Sequence, residues 1–347
     1  MLRRAFPITS VLKGLLLIFV SSSALAQYQL TTLDSNQVKQ STNPADPLIV
    51  NAWGLARSPG SPWWVNDNGS GWATIYNAAG VKQGLEVEIP PAPKNGPIGL
   101  PTGMVWNPSQ SNEFQVQGSS TFFIFDTLDG TISAWAPGIA TFDAEIAVDN
   151  SASKASYTGL AVSNKAKESF LFAADAANNK VEIYDGTFTW KGTFAADPAI
   201  PAGFSVFGIR DIDGKVFVAF ARTSGGDGGF VDIYSESGKL LRSSFIQGSP
   251  LNQPWGFALA PSNFGPLSNT LLVSNNTNDG TINAFNPQTG AFVGTMKNTS
   301  GAVIHIDQLW AIDFGGGTDA NGRTNTLFFT AGPANNVVGT FGTIVSK

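Results

Sequence analysis

Oxygen-bearing or charged side chains recur along this sequence at the short turns that follow apolar segments and at one strand entry. They are Asp67, Asp126, Asp175, Asn275, Arg222 and Asn51. Carboxylate and amide oxygens that converge on one rim suit calcium, which takes six to eight oxygen ligands. Asp and Asn also begin tight turns by hydrogen bonding to their own backbone. The pattern therefore predicts either a ligand or metal rim or a repeated turn-forming device.

A second candidate pair is His305 and Asp307, which precede an apolar segment near the end of the chain. His305 is the only histidine, and the chain has no cysteine. Residues two apart on one strand share a face, so the pair could form the base and the acid of a triad. The sequence singles out no serine as the nucleophile, and a lone histidine here is otherwise a surface or channel residue. His305 and Asp307 are therefore weak catalytic candidates.

The elements that must position these residues form a repeat. An apolar run, a Gly/Asn-rich turn and an alternating strand recur six times, at 63–76, 122–135, 170–184, 216–234, 271–285 and 327–341. A short strand with a small central residue precedes each copy. These residues are Gly54, Gly103, Gly159, Gly208, Gly256 and Ala311, spaced 48 to 56 residues apart. A period near 50 with several short strands per unit predicts a β-propeller.

The expected fold class is all-β, a six-bladed propeller over residues 27–347. The strands with small residues are expected innermost, where backbones crowd around the axis. The segment Tyr28 to Leu33 has no partner of its own, and the sixth unit lacks an outer strand. We expect this segment to join the last blade and close the ring, which removes an exposed sheet edge.

Several segments resemble known propellers. The stretch 171–184, LFAADAANNKVEIY, is similar to NHL-type repeats. The stretches VNAWGLA (50–56), FIFDTLDGTISAW (123–135), QPWGFALAP (253–261) and NTLFFTAGP (325–333) resemble a family of secreted bacterial six-bladed propellers that is defined by sequence and has no established function. The resemblance covers essentially the whole mature chain. It implies the fold and leaves the chemistry open.

Propeller lactonases are the enzymes to compare. They need a metal-binding Glu at the opening of the first inner strand, whereas this chain reads Asn51-Ala52-Trp53-Gly54 there. Asp175, Asn275 and Asp307 could still supply oxygens to a divalent metal such as calcium. A lactonase-like metal-dependent hydrolase is thus the alternative function.

The first 26 residues are expected to be a signal peptide. Arg3, Arg4 and Lys13 flank a short apolar core, and 24–26 reads Ala-Leu-Ala, a small-x-small cleavage site. The core is too short to span a bilayer, which takes about 20 residues. We expect cleavage near Ala26 and a secreted or periplasmic mature protein. A Sec-type route is favoured over a twin-arginine route, and a buried N-terminal helix is the structural alternative.

The composition of the chain indicates which classes of partner it is suited to bind. Charged residues make up only 13% of the chain, Lys and Arg number 20 against 25 Asp and Glu, and the formal net charge is −5. An acidic chain without a basic run is a poor match for nucleic acid. Trp53, Trp255 and Trp310 either line the entry of the channel, where they could stack on sugar rings, or wedge between blades. The leading hypothesis is a binding module for a small molecule, a glycan or a protein, with no nucleic acid and no membrane span.

Overall fold

The computed structural model describes residues 27–38, 40–93, 96–109, 112–163 and 168–347. The predicted signal peptide, 1–26, lies outside these residues. Within them, six four-stranded antiparallel sheets confirm the all-β, six-bladed propeller. No helix among the described residues is long and apolar enough to cross a membrane.

The first three blades follow the chain from the axis outward. Blade 1 holds β2 (Ala52–Ala56), β3 (Trp63–Asp67), β4 (Trp72–Tyr76) and β5 (Val87–Glu88). Blade 2 holds β6 (Pro101–Trp106), β9 (Phe123–Thr127), β10 (Thr131–Trp135) and β11 (Glu145–Asp149), and its loop carries the small hairpin of β7 (Gln115–Val116) and β8 (Ser119–Ser120). Blade 3 holds β12 (Tyr157–Val162), β13 (Phe170–Asp175), β14 (Lys180–Asp185) and β15 (Trp190–Thr193).

The last three blades repeat this order. Blade 4 holds β16 (Phe204–Ile212), β17 (Lys215–Arg222), β18 (Gly229–Ser235) and β19 (Leu240–Gln247), and blade 5 holds β20 (Pro254–Leu259), β21 (Leu271–Asn275), β22 (Ile282–Phe285) and β23 (Phe292–Thr295). Blade 6 holds β24 (Leu309–Phe314), β25 (Thr326–Ala331), β26 (Thr340–Ser346) and, as its outer strand, β1 (Tyr28–Ser35). Tyr28 pairs with Ser346, so the start and the end of the described chain share one sheet. Single 3₁₀ turns occur at Ser151–Ser153 and Gly265–Leu267, and Pro333–Asn336 forms a turn in which Ala334 and Asn335 have positive φ angles.

The six inner strands surround the axis in chain order, and β24 contacts β2. Each inner strand carries one extra residue at the small-residue position, so its register against the second strand shifts there. In blade 1, for example, Ala52 pairs with Asp67 but Leu55 pairs with Val65. Such a bulge bends a strand and turns its side chains. A Cβ on Gly103 would overlap the backbone of Leu160 in the next blade, which explains the glycine.

Hydrogen bonds beside the bulges join neighbouring blades at five of the six junctions. In each of them, a side chain on the inner or second strand of one blade donates to a backbone oxygen on the inner strand of the next blade. The bonds are Asn66 Nδ2 to Thr102 O (3.1 Å), Thr102 Oγ1 to Tyr157 O (2.8 Å), Thr158 Oγ1 to Phe207 O (2.8 Å), Ser274 Oγ to Trp310 O (2.6 Å) and Thr330 Oγ1 to Trp53 O (2.5 Å). The ring of blades is therefore held by buried polar contacts as well as by apolar packing.

The third strand of a blade alternates polar and apolar residues, and both kinds are buried. In β14, the polar Glu182 and Tyr184 are buried like the apolar residues that alternate with them. Glu182 Oε2 accepts hydrogen bonds from Tyr157 Oη and Tyr184 Oη at 2.6 Å each, and its Oε1 pairs with Lys180 Nζ at 2.7 Å. Both faces of a blade pack against neighbouring blades, so a polar residue there must find partners inside the protein.

Candidate functional site

The channel along the axis has two ends, which we name by the direction of the inner strands. The entry face is where the inner strands begin, and the exit face is where they end. The sequence-predicted rim belongs to the entry side, at the turns between second and third strands. A cavity on the channel axis lies at the other end of the inner strands.

Three tryptophans block the channel toward the entry face. Trp53 stacks on Trp310 with ring centroids 3.5 Å apart and an interplanar angle of 15°, and Trp255 meets both edge-on. Trp310 Nε1 donates to Asn51 Oδ1 (2.9 Å), and Trp255 Nε1 donates to Thr158 O (2.7 Å) in blade 3. All three rings are at most 9% exposed. They form a plug across the axis, and they do not present stacking platforms to solvent.

The channel stays open on the exit side of this plug. A cavity of about 230 Å³, which we call the exit pocket, is lined by apolar residues from all six inner strands, among them one at the same repeat position in each strand. These residues directly follow the small residue of each bulge: Leu55, Met104, Leu160, Ile209, Phe257 and Ile312. Trp255 belongs to the lining, so the plug is the floor of the pocket.

The mouth of the exit pocket is uneven. Blades 2 and 3 contribute Trp106 and Val162, while blades 1, 4 and 6 contribute charged residues. The charged residues are Arg57, Arg210, Asp211 and Asp313. A second space of about 550 Å³ adjoins the mouth and shares Arg57, Val162, Arg210, Asp211 and Asp313 in its lining.

The two guanidinium groups at the mouth have different partners. Arg210 Nη2 lies 2.8 Å from Asp313 Oδ2, and Asp313 Oδ1 accepts from the backbone of Phe314 at 2.8 Å. Arg57 Nε and Nη2 both donate to Phe314 O, at 3.1 and 2.9 Å. Burial lowers the pKa of Arg57, Asp313 raises it and Arg210 lowers it further. Arginine remains charged near neutral pH in spite of such a shift.

Three residues of the predicted rim, Asp175, Asn275 and Asn51, hydrogen-bond to other parts of the protein. Asp175 Oδ1 accepts from the backbone of Ser156 (3.1 Å) and Asn178 (3.2 Å), and Asn275 Oδ1 accepts from that of Asn252 (3.1 Å). In both cases, the hydrogen bonds connect the segment before an inner strand to the turn between the second and third strands of the same blade. Asn51 is occupied by Trp310 and by Asn68, to which its Nδ2 donates at 3.1 Å.

Asp67 and Asp126 are fully buried and differ in position. Asp67 pairs across its sheet with Ala52, whereas Asp126 lies one residue earlier in its repeat, opposite the bulge at Gly103. Asp67 Oδ2 accepts from Thr74 Oγ1 at 2.7 Å, and burial raises its pKa well above the usual range. Asp126 Oδ1 accepts from Thr102 Oγ1 (2.7 Å) and from Gly103 N (2.6 Å). Burial raises the pKa of Asp126 to about 7.

The remaining predicted residues also have separate partners. Arg222 is exposed and lies over the ring of Phe204 at 4.6 Å. His305 is exposed, with Nδ1 3.3 Å from Asp279 O, and Asp307 Oδ2 accepts from the backbone of Ala334 at 2.8 Å. His305 and Asp307 lie in the loop before β24, so the strand geometry that would make them face each other does not apply. Among the described residues, no group of three or more His, Asp or Glu side chains is placed to hold a metal ion.

Sequence reasoning missed Arg57, Arg210 and Asp313. A signal for two of them was present at the second position after the small residue of each inner strand. That position holds Ala or Val in units 1, 2, 3 and 5 but Arg210 in unit 4 and Asp313 in unit 6. Charges at an otherwise apolar repeat position mark the place where the ring departs from its own symmetry.

Comparisons with known proteins agree with the fold. No protein-family model matches the chain. Uncharacterized protein R640 of Acanthamoeba polyphaga mimivirus is 30% identical over 79% of this chain, which spans 52% of R640, about half its length. Uncharacterized protein R648 of the same virus is 27% identical over 92% of this chain and 81% of its own.

Among solved structures, the neighbours are six-bladed propellers. A PQQ-bound aldose sugar dehydrogenase from Streptomyces coelicolor has a TM-score of 0.57 at 13% identity, covering 93% of this chain and 99% of its own. Virginiamycin B lyase from Staphylococcus aureus has a TM-score of 0.54 at 12% identity, covering 92% and 99%. A calcium-binding regucalcin from Agrobacterium tumefaciens has a TM-score of 0.53 at 10% identity, covering 86% and 91%. At such identities the likeness shows the fold alone.

Proposed function

We propose that this chain is a ligand-binding β-propeller whose exit pocket takes a small molecule with a flat, apolar body. The observation that carries the proposal is the asymmetry of the channel: three tryptophans close one end, and a ring of six apolar side chains opens at the other. Ligand pockets are typically concave and apolar, with a few polar groups that orient the ligand. Arg57, Arg210 and Asp313 supply such groups at the mouth.

The sequence left open a metal-dependent hydrolase as the alternative. That function needs oxygens that converge on a metal. Asp175 and Asn275 accept hydrogen bonds from the protein through Oδ1, and Asp307 does so through Oδ2 while its Oδ1 has no hydrogen-bond partner. Among the described residues, these side chains do not belong to any group of three or more His, Asp or Glu placed to hold a metal ion. The solved propellers include a lyase, a dehydrogenase and a calcium-binding protein, so the shared fold does not choose among chemistries. The engaged oxygens favour binding at the exit pocket over metal chemistry at the entry face.

The test uses N-phenyl-1-naphthylamine, a neutral, flat probe whose fluorescence rises in apolar surroundings. Val162 lies at the wall of the pocket and is partly exposed, so Val162→Trp fills space that the probe would occupy. We expect this variant to weaken binding by about tenfold or more, which corresponds to about 1.4 kcal/mol.

The matched control is Val293→Trp on the outer strand β23, where the side chain is 51% exposed and distant from the axis. It is expected to bind the probe like the parent protein. Equal binding by both variants, with unchanged circular dichroism, would place any binding outside the exit pocket and contradict the proposal.

We also propose that the chain is exported, with residues 1–26 removed, and that it binds its ligand in the periplasm or the medium. The first 26 residues support this proposal, because basic residues are followed by a short apolar core and then by a small-x-small cleavage site.

A further inference from the structure

The guanidinium group of Arg57 is a partly buried charge without a carboxylate partner among the described residues. The contacts of Arg57 are to neutral groups: Phe314 O at 3.1 and 2.9 Å, Ser58 O at 3.4 Å, and the ring of Trp63 at 5.3 Å. Charges removed from water are normally paired, because carbonyls compensate only part of the lost hydration. Arg57 therefore places a positive charge in the lining of the exit pocket, and a bound anion would supply the negative partner that this charge lacks.

The neighbouring charges do not supply that anion. Asp313 is the carboxylate whose field reaches Arg57, yet its Oδ2 is bound to Arg210 and its Oδ1 to the backbone of Phe314. Asp211 Oδ1 accepts from Gly214 N at 3.1 Å, in the turn between β16 and β17. The second guanidinium group, that of Arg210, adds repulsion at Arg57, and an incoming anion would relieve it.

The part of the mouth formed by blades 2 and 3 is apolar. Trp106 and Pro108 line it, and the apolar ring lies below. A molecule that satisfies both sides has an anionic group at one end and a flat apolar body at the other. Arginine is suited to carboxylate and sulfonate groups because its planar fork donates charge-assisted hydrogen bonds.

We propose that the exit pocket recognises an organic anion, with Arg57 binding its carboxylate or sulfonate group and the apolar ring and Trp106 packing against its body. This inference rests on the proposed function, since it names the chemical class of the ligand for the same pocket. Arg57 is the specificity-determining residue, and Arg210 reinforces it.

The experiment compares two probes with one skeleton. N-phenyl-1-naphthylamine is neutral, and 8-anilinonaphthalene-1-sulfonate carries an added sulfonate. Arg57→Gln removes the charge while keeping a donor for Phe314 O. We expect it to weaken binding of the sulfonate probe by about tenfold and binding of the neutral probe by less than about twofold. Arg57→Lys keeps the charge and loses the planar fork of donors. Its affinity for the sulfonate probe is expected to lie between those of the parent protein and Arg57→Gln.

Arg222→Gln is the matched control, because Arg222 also lies over an aromatic ring but is exposed at the end of β17, toward the entry face. It should change neither affinity. Added NaCl should weaken binding of the sulfonate probe alone.

The outcomes separate the two proposals. Weakening of the neutral probe by Val162→Trp, together with an unchanged ratio of affinities in Arg57→Gln, would overturn the anion proposal and leave the pocket standing. No dependence of either probe on Val162→Trp would overturn the proposed function itself. Loss of the sulfonate probe in Arg222→Gln would move the site to the entry face and overturn both.

Discussion

Trp53 and Trp310 lie face to face across the joint between blades 1 and 6, with ring centroids 3.5 Å apart. Trp255, which meets both rings edge-on, completes the contact. The pair decides which end of the channel is closed, because the stacked rings fill the axis beside the bulges of their strands. A ligand can therefore enter the described channel from the exit face only.

Removing a ring from this plug should destabilise the protein strongly. Trp310→Ala leaves a cavity and deprives Asn51 of a donor, so we expect a loss of about 3 to 5 kcal/mol in the free energy of unfolding. Urea denaturation measures it. Trp190→Ala, at a ring that is 57% exposed, is the control and should change stability by less than about 0.5 kcal/mol. Similar losses for both would show that the plug is not a packed core.

Stability should fall as pH rises from 5 to 8. The pKa of Asp126 is raised to about 7, so the folded state holds a proton that the unfolded state releases near pH 4. The stability from this group is complete below pH 4 and is lost as pH rises through 7. For Asp126 alone the loss between pH 5 and pH 8 is on the order of 3 kcal/mol.

Asp126→Asn should flatten this dependence, measured as Tm against pH. Part of the slope should remain, because burial also raises the pKa of Asp34 to about 6 and that of Asp232 to about 7. Asp319→Asn, at an exposed residue, should leave the profile as it is. A parent protein whose Tm increases steadily from pH 5 to pH 8 would contradict the assignment of Asp126 as a buried acid with a raised pKa.

Calcium should leave the Tm unchanged. Asp175 and Asn275 bind donors of their own blades, and a ligand that binds only the folded state would raise the Tm. We expect equal melting in calcium chloride and in EDTA. The double variant Asp126→Asn/Asp175→Asn should alter stability without altering binding of N-phenyl-1-naphthylamine. A calcium-dependent rise that this double variant abolishes would restore the metal rim.

Releasing Arg210 from its carboxylate should strengthen anion binding. In Asp313→Asn, Arg210 loses its ion pair at 2.8 Å, and Asp211 is the one carboxylate left beside the two guanidinium groups in the lining of the exit pocket. Affinity for 8-anilinonaphthalene-1-sulfonate is expected to rise about threefold or more, by the charge-assisted contact that Arg210 regains. Fluorescence titration measures it, with the neutral probe as the reference. A fall in affinity for the sulfonate probe would mean that Asp313 itself binds the ligand.

Export should leave Gln27 as the first residue of the mature protein. Intact-mass measurement of protein from the periplasm or medium checks this, and replacing Ala24 and Ala26 by bulky residues should block processing. Full-length protein that begins at Met1 in those fractions would refute the cleavage site.

The architecture was predictable because each blade is encoded by the same pattern of small, apolar and turn-forming residues. Small residues at 54, 103, 159, 208, 256 and 311 mark inner strands whose backbones approach one another, and the period between them gives the number of blades. The position of Asp126 was not predictable to the residue. Blades 1 and 2 carry the same bulge, but Asp67 pairs with Ala52 beside it, whereas Thr127 has that place in blade 2 and Asp126 lies opposite the bulge. This difference of one residue appears only when the strands pair.

The sequence by itself determined the blades, their order and the turn residues, because these depend on local patterns that recur. Only the tertiary structure decided which end of the channel is open, because that depends on how side chains from different blades fill one axis. Trp53, Trp255 and Trp310 are equivalent in the repeat to Thr102, Thr158 and Phe207, yet their rings meet and close the entry side. Arg57, Arg210 and Asp313 lie far apart in sequence and meet at the mouth because the ring brings blades 1, 4 and 6 to a common centre.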